Sequence, residues 1–283
     1  MPLVTVALQF FNAERTLAEA VRSILKQTFA DWELLLQNDG STDASLEVAR
    51  SFRDPRVRIL SDGINRRRPA RINEGIRLAA GRYFALMDAD DVAYPDRLAR
   101  QVSFLDREPP VDLVGGAMLV FDDRGVPRGK RVGPAVHDEI CRRPWAGFLL
   151  AQPTFVGRTE WFRKYGYRDG TAPTEDQDLL IRSHRHSRFA NLPEVVMGYR
   201  EAGLTVRKQL FARRQVTKAL VRELLQESRP ILAARAALEQ AGKAAVDVFA
   251  VASGLDYRIL GHRAGPITEE EASRWRDVYE SVR

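Results

Sequence analysis

The stretch YFALMDADDVAYP, residues 83–95, changes character abruptly at residue 88. Residues 83–87 are an apolar run with the length and β-friendly composition of a buried strand. Three carboxylates follow, Asp88, Asp90 and Asp91. A helix is predicted to restart at Pro95, since proline is favoured at the first helical position and Leu98, Val102, Phe104 and Leu105 continue an apolar stripe. The acids therefore sit where a strand ends, and in an open α/β sheet ligands bind at that carboxyl edge. Three like charges this close repel unless a cation is shared among them, and carboxylate oxygens are the hard donors that Mg2+ and Mn2+ prefer. The plain alternative is an acidic, solvated turn that caps the next helix.

Upstream, strands are predicted over 3–10, 32–36 and 56–60. Between them lie helices over 13–26, with Asn12 as cap, and from Ser41-Thr42-Asp43 through Phe52. A loop over 61–69 enters a helix that ends at Ala80, with Gly81 as its C-cap. Four strand–helix alternations with short connections predict a parallel, twisted sheet covered on both faces. Downstream the rhythm changes. A strand is expected over 111–121 and a turn over 122–125, while 126–144 carries no clear signal. Residues 148–156 either line a pocket or cross the sheet. Short helices over 160–165 and 175–184 and a strand over 195–199 complete this part. From residue 206 the chain reads as helices over 208–227, 230–242, 244–252 and 268–282. A boundary near Thr205 divides it into a domain of residues 1–205 and a helical extension of residues 206–283.

The chain has 283 residues, 45% hydrophobic and 29% charged, the balance of a globular protein with ample length for a core. The net charge of +6 points to polyanionic partners such as nucleotide phosphates, an anionic membrane surface or nucleic acid. Cys141 is the sole cysteine, so no intrachain disulfide forms and a reducing compartment is favoured. The start of the chain lacks the features of a signal peptide, and no apolar run approaches the roughly 20 residues of a membrane span. The expected location is cytoplasmic, with peripheral contact at the inner face of the plasma membrane as a variant of that reading.

Asn12, the run Asn38-Asp39-Gly40-Ser41-Thr42-Asp43, Asn65, Asn73-Glu74-Gly75-Ile76, Asp88-Ala89-Asp90-Asp91, Pro95-Asp96-Arg97-Leu98 and Thr174-Glu175-Asp176 occur in order over residues 1–205. In that order they resemble the family-2 inverting glycosyltransferases, which have the GT-A fold: a mostly parallel twisted sheet flanked by helices, here with a C-terminal helical extension. The resemblance implies transfer of a single sugar from a nucleotide-diphosphate donor, with a UDP- or dTDP-sugar favoured, to a hydroxyl on a glycan or lipid-linked acceptor of bacterial surface-glycan synthesis. It implies that Asp39 contacts the base, with Phe11 and Asn12 beside it and Arg71 and Asp88 also at the nucleotide. Asp90, with Asp88, becomes a DxD motif holding Mn2+ or Mg2+. Asp176 becomes the base that deprotonates the acceptor, with Glu175 contacting that acceptor. Arg200, in the Tyr199-Arg200 pair, falls at a pyrophosphate position, although Ala202 stands where a histidine is common.

Each assignment has a structural counterpart. Asp39 could form an Asx turn with Gly40, Ser41 or Thr42 could cap a helix, and Glu175, Asp176 and Asp178 could simply enrich a first helical turn with negative charge. Arg66, Arg67, Arg68 and Arg71 depart from the family pattern; Arg67 and its neighbours either clamp phosphate or form a solvated charge run. His184 and His186 near the Asp176 helix are read first as ordinary surface or core residues, not as metal ligands. Leu220, Leu224, Leu225, Ile231 and Leu232 form a C-terminal apolar stripe for interhelical packing, an anionic membrane surface or a homodimer. Two rival functions are a nucleotidyltransferase on a similar sheet and a non-catalytic scaffold. The first lacks a Gly-rich basic loop after strand one, and intact acids at 39, 88, 90 and 176 oppose the second. No P-loop, GxGxxG or GxSxG motif is present, and nucleic-acid binding has only net charge in its favour.

Overall fold

A computed structural model describes residues 1–201, 206–252 and 264–283. The elements, in chain order, are β1 (Val4–Phe10), α1 (Leu17–Leu25), β2 (Trp32–Asn38), α2 (Ser45–Ser51), β3 (Val57–Ser61), α3 (Arg68–Leu78), β4 (Tyr83–Asp88), β5 (Val92–Ala93) and α4 (Arg97–Arg107). There follow β6 (Leu113–Phe121), β7 (Pro127–Arg131), α5 (His137–Ile140), β8 (Val156–Arg158), α6 (Thr159–Tyr165), α7 (Glu175–Ser183) and β9 (Phe189–Arg200). The C-terminal helices are α8 (Val206–Gln226), α9 (Pro230–Ala252) and α10 (Glu269–Val282).

The strands join in one sheet of order β3-β2-β1-β4-β8-β6-β9-β5, with β7 paired to β6. The first four strands are parallel, as their crossover helices require. β8 then runs antiparallel to β4 and β6, and β9 returns parallel to β6. Because helices cover both faces, the central strands read as near-continuous apolar runs rather than alternating ones. In β4, Tyr83, Ala85 and Met87 face one cluster with α1, α2 and α4, while Phe84 and Leu86 face a second with α3, α6, α7, α8 and α9. β1 lies between β2 and β4, so the chain's direction of winding switches there. The carboxyl ends of those three strands open one crevice.

Several sequence expectations are corrected. The helix after the acidic stretch starts at Arg97, not Pro95, because Val92 and Ala93 pair with β9 and the Tyr94 amide donates to the Val196 carbonyl (3.0 Å), keeping the chain extended. Asn12 does not cap α1; its Oδ1 accepts from the Thr42 amide (2.8 Å), tying the β1–α1 and β2–α2 loops together. The second helix begins at Ser45, whose amide is held by Asp43 Oδ1 (3.0 Å). Gly81 is not a C-cap: α3 ends in extended Ala79, and a Cβ on Gly81 would lie 2.5 Å from the Thr5 amide nitrogen, so glycine is required by close approach. The helices expected over 230–242 and 244–252 are one, α9, running through Gly242.

The C-terminal helices pack in two places. Leu220 and Leu224 of α8 and Ala233 and Ala236 of α9 join the cluster beside α7, whereas Leu225 and Ile231 are exposed. α10 instead returns to the sheet: Trp275, Val278, Tyr279 and Val282 bury against Val92, Tyr94, Leu119 and Phe121. Its last carbonyls accept from Arg22 of α1. Thr268 and Glu271 cap it reciprocally. The boundary expected near Thr205 falls outside the described residues, as does Ala202.

Candidate active site

The crevice begins at the ends of β1 and β2. Phe11, half exposed, stands at its rim, and Asn12 takes a left-handed φ of 51°, a conformation asparagine tolerates. Asp39 is buried. Its Oδ1 accepts from the Arg66 amide (2.7 Å) and Arg71 Nε (3.1 Å), and its Oδ2 from the Arg67 amide (3.1 Å). Asp39 forms no Asx turn; the turn is instead held by Asn38, whose Oδ1 accepts from the Ser41 amide three residues on (2.9 Å). Arg71 is 1% exposed and also holds Asp62 and Glu74. Burial opposes its charge, but these carboxylates keep its pKa above the ordinary arginine value. Its visible work is therefore to fix Asp39 and the 61–69 loop from beneath.

At the end of β4, ligand oxygens of Asp88, Asp90 and Asp91 lie within 4.8 Å of one another. Among the described residues this is the sole group of three or more acid, histidine or cysteine side chains close enough to share a metal ion; His184 instead faces the Ile181 carbonyl (2.8 Å). Asp90 projects outward, while Asp91 is buried, with Oδ1 accepting from the Arg200 amide (2.9 Å) and Oδ2 without a partner among the described residues. Dehydration first, then the Asp88 charge, raises the Asp90 pKa; the same causes, joined by Asp90, raise that of Asp91 further. Two buried arginines oppose this charge. Arg97 donates to the Leu86 carbonyl (2.8 Å) under the loop, and burial pushes its pKa down to about 9 against the pull of Asp91 and Asp88. Arg200 donates to the Asp90 carbonyl (2.9 Å) and pairs with Glu19. Its guanidinium, expected at a pyrophosphate position, is thus engaged from below the loop by the Asp90 carbonyl and Glu19.

The far wall is α7. Glu175 and Asp176 occupy its first turn, with Glu175 2% exposed and Asp176 half-buried. Burial raises the pKa of both. Gln177 fixes the turn by holding the Phe148 amide (2.8 Å) and reaching Asp176 Oδ2 (3.3 Å). Asp178 faces inward, fully buried, and pairs with Arg182 (2.8 Å) and with Arg222 of α8. Arg68 spans the two walls: Nη2 pairs with Asp88, and Nε lies 3.3 Å from Glu175 Oε1. Asp176 and Tyr167 also act electrostatically on Arg68. The structure thus gathers Asp39, Asp88, Asp90, Glu175 and Asp176 along one crevice. Sequence reasoning gave Arg97 no role of its own although it stands in the Pro95-Asp96-Arg97-Leu98 motif, read Asp178 only as charge in a first helical turn, and could not say which member of the three-arginine run faces inward. Arg67 is exposed, with no ion pair for its side chain among the described residues.

A mixed sheet whose parallel half presents an acidic loop at the switch point is the GT-A arrangement. The sequence profile described as Glycosyl transferase family 2 matches residues 5–166, and the chain belongs to that family of glycosyltransferases. It is 36% identical over 217 residues to EpsE of Bacillus subtilis, assigned as a glycosyltransferase, covering 74% of this chain and 77% of that one. Its fold matches S. aureus TarS 1-349 in complex with UDP-GlcNAc, with a TM-score of 0.68 and 17% identity, covering 100% of this chain and 82% of that one. It spans 39% of a longer TarS chain. The fold also matches the mannosyltransferase PcManGT of Pyrobaculum calidifontis in complex with GDP-Man and Mn2+, with a TM-score of 0.59 and 19% identity, covering 99% and 85%. Among the described residues no helix is long and apolar enough to cross a membrane.

Proposed function

We propose that this enzyme transfers a single sugar, with inversion, from a nucleoside-diphosphate donor to an acceptor hydroxyl, with a divalent cation at the acidic loop. The observation that carries the reading is the crevice that faces Asp88 and Asp90 on one wall and Asp176 on the other. The acidic loop suits a hard cation: its donors are carboxylate oxygens, and the buried, unpartnered Asp91 Oδ2 lies beside them. Asp90 and Asp88 would hold Mn2+ or Mg2+, which as a Lewis acid would stabilise charge on a leaving diphosphate. Asp39, fixed by Arg71 and two backbone amides, keeps a lone pair on Oδ2 for a base N–H, the contact that favours a uracil or thymine donor. Asp176 accepts the acceptor's proton as attack proceeds, and its burial-raised pKa suits that task. Gln177 keeps it in place, and Glu175 beside it contacts the acceptor.

TarS with UDP-GlcNAc and PcManGT with GDP-Man and Mn2+ support the donor class and the metal by likeness of fold. A surface-glycan or lipid-linked acceptor rests on the family resemblance. Peripheral membrane contact has support in Ile231, Leu238 and Phe249 of α9, which are 83%, 74% and 63% exposed; a homodimer through the same face is the competing reading. The division into residues 1–205 and a helical extension of residues 206–283 is kept, with α8, α9 and α10 all packing on the catalytic part. The test is thermal stability with UDP, dTDP, GDP and CMP, each with Mn2+ or EDTA. Stabilisation by one diphosphate only in the presence of metal is expected. Absence of any shift would shift the case toward a scaffold. Asp176→Asn should keep that nucleotide shift and lose transfer by about 10²- to 10⁴-fold; normal transfer would remove Asp176 as the base.

A further inference from the structure

Four arginines crowd the entry to α3, and three of them are accounted for. Arg66 pairs with Asp62 (2.8 Å). Arg71 is buried against Asp39, Asp62 and Glu74. Arg67, with a left-handed φ of 71°, contributes its amide to Asp39 and leaves its side chain in solvent. Arg68 differs from all three. It is the first residue of α3, where a helix end disfavours a cation, and the first turn contains no acid to offset it. Its side chain remains one-third exposed, yet it reaches Asp88 on one wall and Glu175 on the other. Nothing local explains a cation there, but the crevice does.

Asp88 cannot serve Arg68 and a divalent cation equally. A cation on Asp88 and Asp90 brings positive charge beside the guanidinium, and the two repel. A diphosphate removes the conflict. Its oxygens present the forked, negative partner that a guanidinium binds best, and they sit next to the metal they share. We propose that Arg68 is a displaceable cation that stands in for substrate charge in the free enzyme: it releases Asp88 to the metal and closes on the donor's diphosphate when the two bind together. This rests on the donor reading given above. It follows that Arg68 adds positive coupling between metal and diphosphate beyond their direct attraction. By linkage the coupling is the same measured from either ligand.

The experiment is calorimetric titration of Mn2+ into wild type, Arg68→Ala and Arg68→Lys, alone and with saturating UDP, GDP or inorganic pyrophosphate. Arg68→Ala should bind Mn2+ alone at least about fivefold more tightly than wild type, because its competitor is gone. It should bind the diphosphates, in the presence of Mn2+, about tenfold or more weakly. Pyrophosphate isolates the contact from base recognition and should show the same loss. Arg68→Lys keeps the charge but not the fork, and should lose diphosphate affinity while leaving Mn2+ binding near wild type; it also carries the test if the alanine variant does not fold. Unchanged or weaker Mn2+ binding by Arg68→Ala, or unchanged diphosphate binding by either variant, overturns the proposal and leaves Arg68 a strut between β4 and α7. Wild type that binds no diphosphate with Mn2+ overturns the donor reading itself.

Discussion

Trp275→Ala tests whether α10 is part of the machinery or an appendage. Trp275 is fully buried, with ring centroids 4.5 Å from Phe121, 5.3 Å from Tyr279 and 6.1 Å from Tyr94. Beneath it lies Gly198, where a Cβ would come within 2.2 Å of the indole, and Gly198 pairs with Val92, the residue after Asp91. Truncating a buried tryptophan costs about 3–5 kcal/mol. The indole N–H also donates to the Gly125 carbonyl (2.8 Å), but that turn is partly exposed and water can replace the donor, so little is added. With a urea m-value of about 3 kcal/mol/M for a chain of this size, a loss of about 4 kcal/mol lowers the midpoint by about 1.3 M. Far-UV circular dichroism follows the transition without relying on the deleted fluorophore. Leu238→Ala, at a position 74% exposed, serves as control and should stay within about 0.5 kcal/mol of wild type. Because β5 and β9 frame the acidic loop, Trp275→Ala should also weaken Mn2+-dependent nucleotide binding at urea concentrations where it is still folded. A midpoint shift under about 0.3 M, or full nucleotide affinity in the variant, would refute the claim that α10 braces the site.

Asp178→Ala removes a fully buried carboxylate from Arg182, which keeps the Tyr165 and Gly166 carbonyls but loses its buried counter-charge, and from Arg222 of α8, which keeps Glu223. A loss of about 3–5 kcal/mol is expected in urea denaturation, together with faster hydrogen exchange where α8 leaves α7. The titration of the α7 acids gives a pH signature. Burial raises the folded pKa values of Glu175 and Asp176, so between the ordinary carboxylate range and those raised values the folded state keeps protons that the unfolded state releases. Stability attributable to these groups therefore declines as pH rises through that window, and Glu175→Gln should flatten the decline measured by urea midpoints from pH 4 to 7. Over the same range transfer should fail as pH drops, since the base must be ionised, with its acid limb above the ordinary aspartate value.

Much of the parallel half was legible because its signals are local. Residues 83–87 are apolar and β-prone, the acids end the strand, and crossover helices follow from their 3.6-residue stripes. The order of acidic motifs pointed to the family and to a shared crevice. The second half was less legible. β8 has only three residues, and β9 starts six residues ahead of the expected strand; both are defined by pairing with β6, a partner distant in sequence. Pro95 had the composition of a helix start, yet the β5–β9 pairing holds the chain extended up to Tyr94, and Pro95 and Asp96 form a turn before the helix.

The sequence by itself determined which residues carry charge at strand ends, the near-continuous apolar runs that bury the strands, and the family. Tertiary structure alone decided what each charged group is paired with. Arg71 and Arg200 look like ligand-binding residues in the sequence, but folding places carboxylates and carbonyls around them first. Arg68, three residues before Arg71 and at the very start of α3, is left to reach Asp88 and Glu175, while Arg71 is enclosed by Asp39, Asp62 and Glu74. The physical reason is range: propensity and hydrophobic period act over a few residues, whereas a buried charge is set by partners such as Asp88 and Glu175, 20 and 107 residues further along the chain.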